Sequence, residues 1–179
     1  MDQRVSLAFQ RFDQAELRFC RYLNRSSACS TVRSFFAAVS WLGNGWFWYA
    51  LIVLMPFVYG DLQLSVQMIV TGAAGVGLYK FIKVRAVRER PFITHTVINC
   101  AAAPLDRYSF PSGHTLHAVS FSWVVLSYHP EWAPIVIPFA LAVALSRVIL
   151  GLHYPTDVAA GALIGALLAM TSLLIMAPV

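Results

Sequence analysis

The sequence is poor in charge. Asp, Glu, Lys and Arg together make up 12% of its 179 residues, about half of the roughly 25% found in soluble domains. With 59% hydrophobic residues and a mean hydropathy of +0.67, that shortage excludes an ordinary soluble domain and points to an integral membrane protein. Cysteine is scarce as well. Cys20, Cys29 and Cys100 are the three present, and an odd number without metal-ligand spacing excludes a complete disulfide framework, so they are taken as packing residues. No Gly/Ser/Pro-rich linker, internal repeat or low-complexity tract divides the chain, and a single domain over residues 1–179 is expected. Residues 1–33 lack the continuous apolar core of a cleavable signal, so the first spanning helix is expected to address the chain to the membrane.

What charge there is lies mostly in two places. Arg4, Arg11, Arg18, Arg21, Arg25 and Arg33 interleave with Val5, Phe9, Phe12, Leu17, Phe19 and Leu23 at roughly helical intervals. That pattern predicts an N-terminal amphipathic helix in residues 1–33, interfacial or packed on the bundle, and interrupted near Asn24, Ser26 and Ser27. The second cluster, Lys80, Lys83, Arg85, Arg88 and Arg90, closes an apolar run and is stopped by Pro91. Arg85 and Arg88 are read as headgroup anchors and no more. A net charge of +5 on such flanks suits anionic lipid and phosphate as partners rather than nucleic acid.

Uncharged runs predict five spans. They are placed at residues 42–60, with Trp41, Trp46 and Trp48 as an interfacial belt; at 62–79; from the Ser109–His117 stretch to Tyr128; at 132–150; and at 157–176. The fold class is therefore all-α, a polytopic transmembrane helical bundle at 42–176 with an N-terminal interfacial helix.

Three polar knots interrupt this apolar background. Pro111-Ser112-Gly113-His114 suggests a helix N-terminus, where free N–H groups and the macrodipole favour an anion, with His114 placed to hand a proton to a departing oxygen. Arg147 near the end of the fourth span costs on the order of 2.5 to 3.5 kcal/mol at a membrane centre, unless it snorkels or holds an anion. His153-Tyr154-Pro155-Thr156-Asp157 starts another helix, and a carboxylate there can fix the tautomer of an imidazole and leave its other nitrogen as a nucleophile. The loop 91–111 is long for a small bundle, and its Asp106 and Tyr108 are expected near a substrate headgroup. With five spans these segments emerge on one membrane face. Lys83, Arg90, Ser112, His114, Arg147, His153 and Asp157 can then converge around one phosphate-sized volume. His117 has no third ligand beside it for zinc and is expected to pack; His95 and His129 are taken as loop residues.

Lys83 with Arg90-Pro91, Pro111-Ser112-Gly113-His114, and Ser146-Arg147 with His153 and Asp157 resemble, complete and in order, the three motifs of the type 2 phosphatidic acid phosphatase superfamily. That resemblance implies a membrane lipid phosphatase in which His153 attacks phosphorus to form a phosphohistidine, Asp157 orients it and His114 protonates the leaving oxygen. Lys83, Arg90, Arg147, Ser112 and the Gly113 amide would hold the phosphoryl oxygens. No metal or cofactor is expected, because the cations are built in. Soluble acid phosphatases and vanadium-dependent haloperoxidases share the motifs, and hydropathy argues against both. A non-catalytic lipid-binding or transport protein would explain the spans but would not require His153 paired with Asp157.

The resemblance to small bacterial members implies undecaprenyl diphosphate as first substrate, with phosphatidylglycerol phosphate, phosphatidate and lipid A phosphates as alternatives. It also implies an inner-membrane protein with an outward, periplasmic site. The distribution of Lys and Arg implies the opposite, because all thirteen fall on the active face.

Overall fold

The computed structural model describes residues 3–177, with side chains from residue 13 onward. Its helices are α1 (Gln3–Asn24), α2 (Ser30–Trp41), α3 (Phe47–Tyr59), α4 (Leu62–Ala86), α5 (Pro91–Thr94), α6 (Gly113–Tyr128), α7 (Ala133–Ile149) and α8 (Pro155–Ile175). Among the described residues the only strand-like pairing is an isolated bridge between Glu89 and Tyr108. Four stretches are long and apolar enough to cross a membrane: Ser30–Tyr59, Leu62–Ala86, Pro130–Ile149 and Pro155–Ile175. The shorter α6 runs among them from the Ser112 end to Tyr128, whose hydroxyl bonds Gln67 on α4 at 2.5 Å. Of the five expected spans, four therefore have the length and apolarity to cross, and the fifth, α6, is a shorter helix packed among them.

The first span is longer than its sequence suggested. The apolar stretch begins at Ser30 rather than at residue 42, because α2 and α3 follow one another across the break at Gly43-Asn44-Gly45. The Leu42–Trp46 link between α2 and α3 is a kink and not a continuous helical turn. Gly45 takes φ 136° there, and a Cβ at this position would sit 2.7 Å from the Tyr49 ring. Of the three tryptophans, Trp48 is fully buried in the core, whereas Trp41 and Trp46 are exposed and stack at 5.7 Å. Gly60 in the left-handed region ends α3, and the Asp61 carboxylate accepts from the Leu64 amide at 2.9 Å to start α4. α4 continues past residue 79 to Ala86, so Lys83 belongs to a helix and not to a loop.

The α1 helix ends at Asn24, and a 3-10 turn, Arg25–Ala28, leads into α2. The helix thus stops at the interruption expected near Asn24, Ser26 and Ser27. Arg4, Val5, Phe9, Arg11 and Phe12 lie outside the described side chains. From Asp13 on, α1 rests one face on the protein: Leu17 and Leu23 pack against a cluster of Cys20, Ile98, Val148 and Tyr154. Cys20 is the packing cysteine; Cys29 and Cys100 are exposed. Asn24 reaches further, donating to the carbonyls of Asn99 and Ile149 at 3.0 and 2.9 Å and accepting from the Asn99 amide at 2.8 Å.

α6 is the central helix, packed on α4, α7 and α8. Its approach to α8 is through backbone. A Cβ on Gly161 would stand 2.5 Å from the Ser112 carbonyl oxygen, and one on Gly165 would stand 2.4 Å from that of Leu116. In lipid, where apolar association between helices is not driven by water, such small-residue seams are what let helices close. The main core of Trp48, Met55, Leu64, Met68, Phe121, Val124, Val125, Val136 and Val143 fills the space between the remaining helices. Phe57, Leu163, Leu174 and Ile175 face outward, as a bilayer requires.

Candidate active site

Three chain reversals at one end of the bundle build the site: the segment between α4 and α6, the first turn of α6, and the α7–α8 loop. Each is held by backbone bonds. His153 and Leu152 both donate their amides to the Arg147 carbonyl at 3.0 Å, which curls the α7–α8 loop and brings His153 beside the Arg147 side chain. The Ser109 amide donates to the Arg88 carbonyl at 2.7 Å and fastens the long loop to the end of α4. Pro155 occupies the first turn of α8, and Asp157 Oδ2 accepts from the Tyr154 amide at 2.8 Å.

His153 is buried between a cation and an acid. Its Nε2 lies 3.1 Å from Arg90 Nη1. Its Nδ1 lies 3.6 Å from Asp157 Oδ2. A guanidinium has only hydrogens to offer, so Nε2 accepts and the ring proton sits on Nδ1, facing Asp157. At 3.6 Å that second contact is longer than a formed hydrogen bond, and contacts of this kind tighten as charge develops on the ring. Burial, followed by the charges of Arg147, Arg90 and Lys83, holds the His153 imidazole well below its usual 6.5, so it is neutral at physiological pH.

The cations surround it. Arg90 is almost fully buried, 1% exposed, and also donates to the carbonyls of Leu152 at 2.7 Å and Asp106 at 2.8 Å. Arg147 is buried rather than snorkelling. It donates to the Ser40 hydroxyl, its Nε is buried without a hydrogen-bond partner, and no acid pairs with it among the described residues. Lys83 Nζ sits 2.7 and 2.9 Å from the two oxygens of Asp106. Asp106 also takes Arg90 Nη2 at 2.8 Å, so this carboxylate bridges two of the three expected phosphate-binding cations. Burial raises the Asp106 carboxyl, but the hydrogen bonds and charges of Lys83 and Arg90 outweigh it and the net direction is down.

A cavity of about 580 Å³ joins these groups. Lys83, Arg90, Gly113, His114, Arg147 and His153 line its polar end; Trp48, Ile52, Met68, Ile69 and Val76 line the rest, between α3 and α4. Two of the expected site residues stand back from it. Asp157 lies behind His153, and the Ser112 hydroxyl is engaged with Thr115 at 3.0 Å as the cap of α6. His117 packs between two carbonyls, its Nδ1 3.0 Å from that of Gly113 and its Nε2 3.2 Å from that of Gly72, and a single ring N–H donates to one of them.

Arg88, taken from sequence as a simple anchor, does more. Its Nη1 donates to Asp157 Oδ1 and to the Thr156 hydroxyl, both at 2.7 Å, and its Nη2 donates to Glu16 Oε2 at 2.7 Å. Glu16 was missed altogether. The signal available was its spacing, since Glu16, Cys20 and Asn24 fall on one helical face at four-residue intervals, and that face is the buried one.

Fold and site together define a class: a membrane-embedded helical bundle holding a His–Asp pair and three cations at one end of an apolar cavity. The chain belongs to the PAP2 superfamily, whose family model matches residues 63–178. It is similar to the undecaprenyl-diphosphatase BcrC of Bacillus subtilis, 36% identical over 115 residues. That alignment takes in 62% of this chain and 58% of the relative, so the chain spans somewhat over half of that protein's length. Among solved structures, LpxE of Aquifex aeolicus superposes with a TM-score of 0.71 at 27% identity, over 88% of this chain and 93% of that one. The PAP2-type phosphatidylglycerolphosphate phosphatase of Bacillus subtilis gives 0.67 at 25% identity, over 92% and 84%.

Proposed function

We propose that this protein is a membrane lipid phosphatase that hydrolyses a lipid phosphate or diphosphate through a phosphohistidine, with undecaprenyl diphosphate as its first substrate. The observation that carries this reading is the environment of His153: a neutral, buried imidazole with Nε2 turned towards the cationic end of the cavity and Nδ1–H turned towards Asp157. The name borne by BcrC supports the substrate.

The terminal phosphoryl group sits among Lys83, Arg90 and Arg147, with the Gly113 amide at the start of α6, while the lipid chain lies along the apolar wall between α3 and α4. Phosphoryl transfer needs positioning and charge stabilisation above all. Arg90 Nη1 turns from His153 Nε2 to a phosphoryl oxygen, the freed Nε2 lone pair attacks phosphorus, and the phosphorus–oxygen bond to the leaving group breaks. His114 gives its proton to the departing oxygen. Asp157 stabilises the positive charge that develops on the ring. Water then attacks the phosphohistidine; His114 takes its proton, inorganic phosphate leaves and His153 is restored. Ser112 contributes by capping α6 and so orienting its amides.

Purified protein assayed for phosphate release against undecaprenyl diphosphate, phosphatidylglycerol phosphate, phosphatidate and a lipid A phosphate tests the substrate. His153→Ala must abolish turnover; retained hydrolysis would sink the mechanism. The site is further read as periplasmic, in an inner membrane, on the strength of the family. Thiol labelling of Thr94→Cys in intact cells decides this, and protection from an impermeant reagent would place the site in the cytoplasm.

A further inference from the structure

Asp157 has two oxygens, and only one of them faces His153. Oδ2 takes the Tyr154 amide and looks at His153 Nδ1, while Oδ1 is given to Arg88 at 2.7 Å. A full positive charge so close to a carboxylate draws its electron density away from the histidine and weakens its hold on the ring proton. The fold answers this with a second acid. Glu16, on α1 and only 8% exposed, takes Arg88 Nη2 on Oε2 at 2.7 Å. Its Oε1 accepts from the Thr156 amide at 2.9 Å and from the Thr156 hydroxyl. The Arg88 guanidinium carbon lies over the Tyr154 ring, 4.1 Å from its centroid, a cation–π contact that adds to its hold. Glu16, Arg88 and Thr156 thus form a closed network around the back of Asp157. Every member is bonded, as a buried polar network must be to specify one geometry.

We propose that Glu16 and Arg88 are positioning residues for phosphoryl transfer. Arg88 fixes the rotamer of Asp157, and Glu16 neutralises Arg88 so that Asp157 keeps its full charge for the His153 ring in the transition state. The N-terminal helix is on this account part of the active site and not only a membrane attachment. The inference rests on His153 being the nucleophile, and it adds a cause for Asp157's orientation that the three sequence motifs do not contain.

The test compares wild type, His153→Ala, Glu16→Gln, Arg88→Lys and the Glu16→Gln/Arg88→Lys double variant for kcat and KM on undecaprenyl diphosphate in detergent micelles. Glu16→Gln keeps an acceptor for Thr156 and removes the charge. It is expected to lower kcat about tenfold, with KM changed less than about twofold, because the interaction matters only as the ring becomes cationic. In the Arg88→Lys background the same change should cost less than about twofold, the non-additivity of residues acting as one unit. Wild-type kcat in Glu16→Gln, or multiplying losses in the double variant, overturns the inference while His153→Ala remains dead and the phosphatase reading stands. Turnover by His153→Ala, or none by wild type, overturns that reading and the inference with it. Should Glu16→Gln not fold, Thr156→Val removes the hydroxyl that Arg88 and Glu16 share. A several-fold lower kcat at constant KM is then expected, and an unchanged kcat overturns the inference.

Discussion

The backbone amide of Ser112 donates to the backbone carbonyl of Asp157 at 3.0 Å. This one bond joins the start of α6 to the first turn of α8, and therefore ties the element carrying His114 to the element following His153. Below it Gly161 and Gly165 let the two helices touch through their main chains. The spacing between the proposed acid and the proposed nucleophile is thus set by backbone, which side-chain motion cannot relax.

Gly161→Val should push α6 from α8, since a Cβ there meets the Ser112 carbonyl oxygen at 2.5 Å. A loss of activity of at least about tenfold and a lower thermal midpoint are expected, as for other overpacked interiors. Gly77→Ala is the control: a Cβ at that site meets nothing within 4 Å, and Ala favours a helix. Phosphate release and thermal unfolding of both variants check this, and an active Gly161→Val would remove the seam from the account of the site.

Asp157→Asn keeps the shape of the side chain and removes the charge facing His153 Nδ1. The expected fall in kcat is on the order of 10³ to 10⁴, by analogy with the acid of the serine protease triad. KM for the lipid should move little, because Asp157 stands behind the cavity. Rapid-quench trapping of the phosphohistidine separates the steps: slow phosphoenzyme formation is expected, and an unaffected formation rate would count against the assigned role.

The pH profile follows from His153. Its folded value is depressed below 6.5, first by burial and then by Arg147, Arg90 and Lys83, with Asp106 opposing. Nucleophilic attack needs the neutral ring, so the acid limb of kcat/KM should fall below pH 6.5 and not at it. The same shift has a stability consequence. A native histidine that resists protonation contributes stability fully above the unfolded value of 6.5, and this contribution is lost as pH falls from there towards the folded value. Initial rates and thermal midpoints between pH 4 and 8 read both.

Asp106 holds Lys83 and Arg90, two of the cations proposed to hold the phosphoryl group. Its pKa, lowered against burial by the hydrogen bonds and charges of Lys83 and Arg90, keeps it ionised throughout the physiological range. Asp106→Asn leaves the loop its hydrogen-bonding shape and frees the two cations, so inorganic phosphate should inhibit the variant several-fold more tightly. An unchanged inhibition constant would show that the carboxylate and phosphate do not compete for one seat.

Much of this was legible in the sequence because each site residue is a polar exception in an apolar run. Arg147 in an uncharged span, Pro-Ser-Gly-His before another, and His153 four residues ahead of Asp157 could be placed on one face by counting crossings alone. Arg88 was not legible: beside Lys80, Lys83, Arg85 and Arg90 its charge is one among several, and only the fold shows that it turns inward to Asp157. Glu16 was hidden by distance: its four-residue spacing from Cys20 and Asn24 marks a helical face, but not the Arg88 and Thr156 that it meets there. The first span was started too late for a physical reason: the glycines do break the helix, but the apolar stretch already begins on the far side of that kink, in α2.

The length of α6 carries a last consequence. Its 16 residues rise about 24 Å, less than the roughly 30 Å of a hydrocarbon core. Its neighbours Ser30–Tyr59 and Leu62–Ala86 have 30 and 25 residues and are long enough to span that thickness. With its Tyr128 end at the opposite interface, the turn bearing Gly113 and His114 is expected below the level of the lipid headgroups, and on the proposed mechanism a phosphate reaching it is drawn down out of its own hydration shell. The protein's cations replace that water, and bilayer thickness becomes a determinant of how far each headgroup must descend.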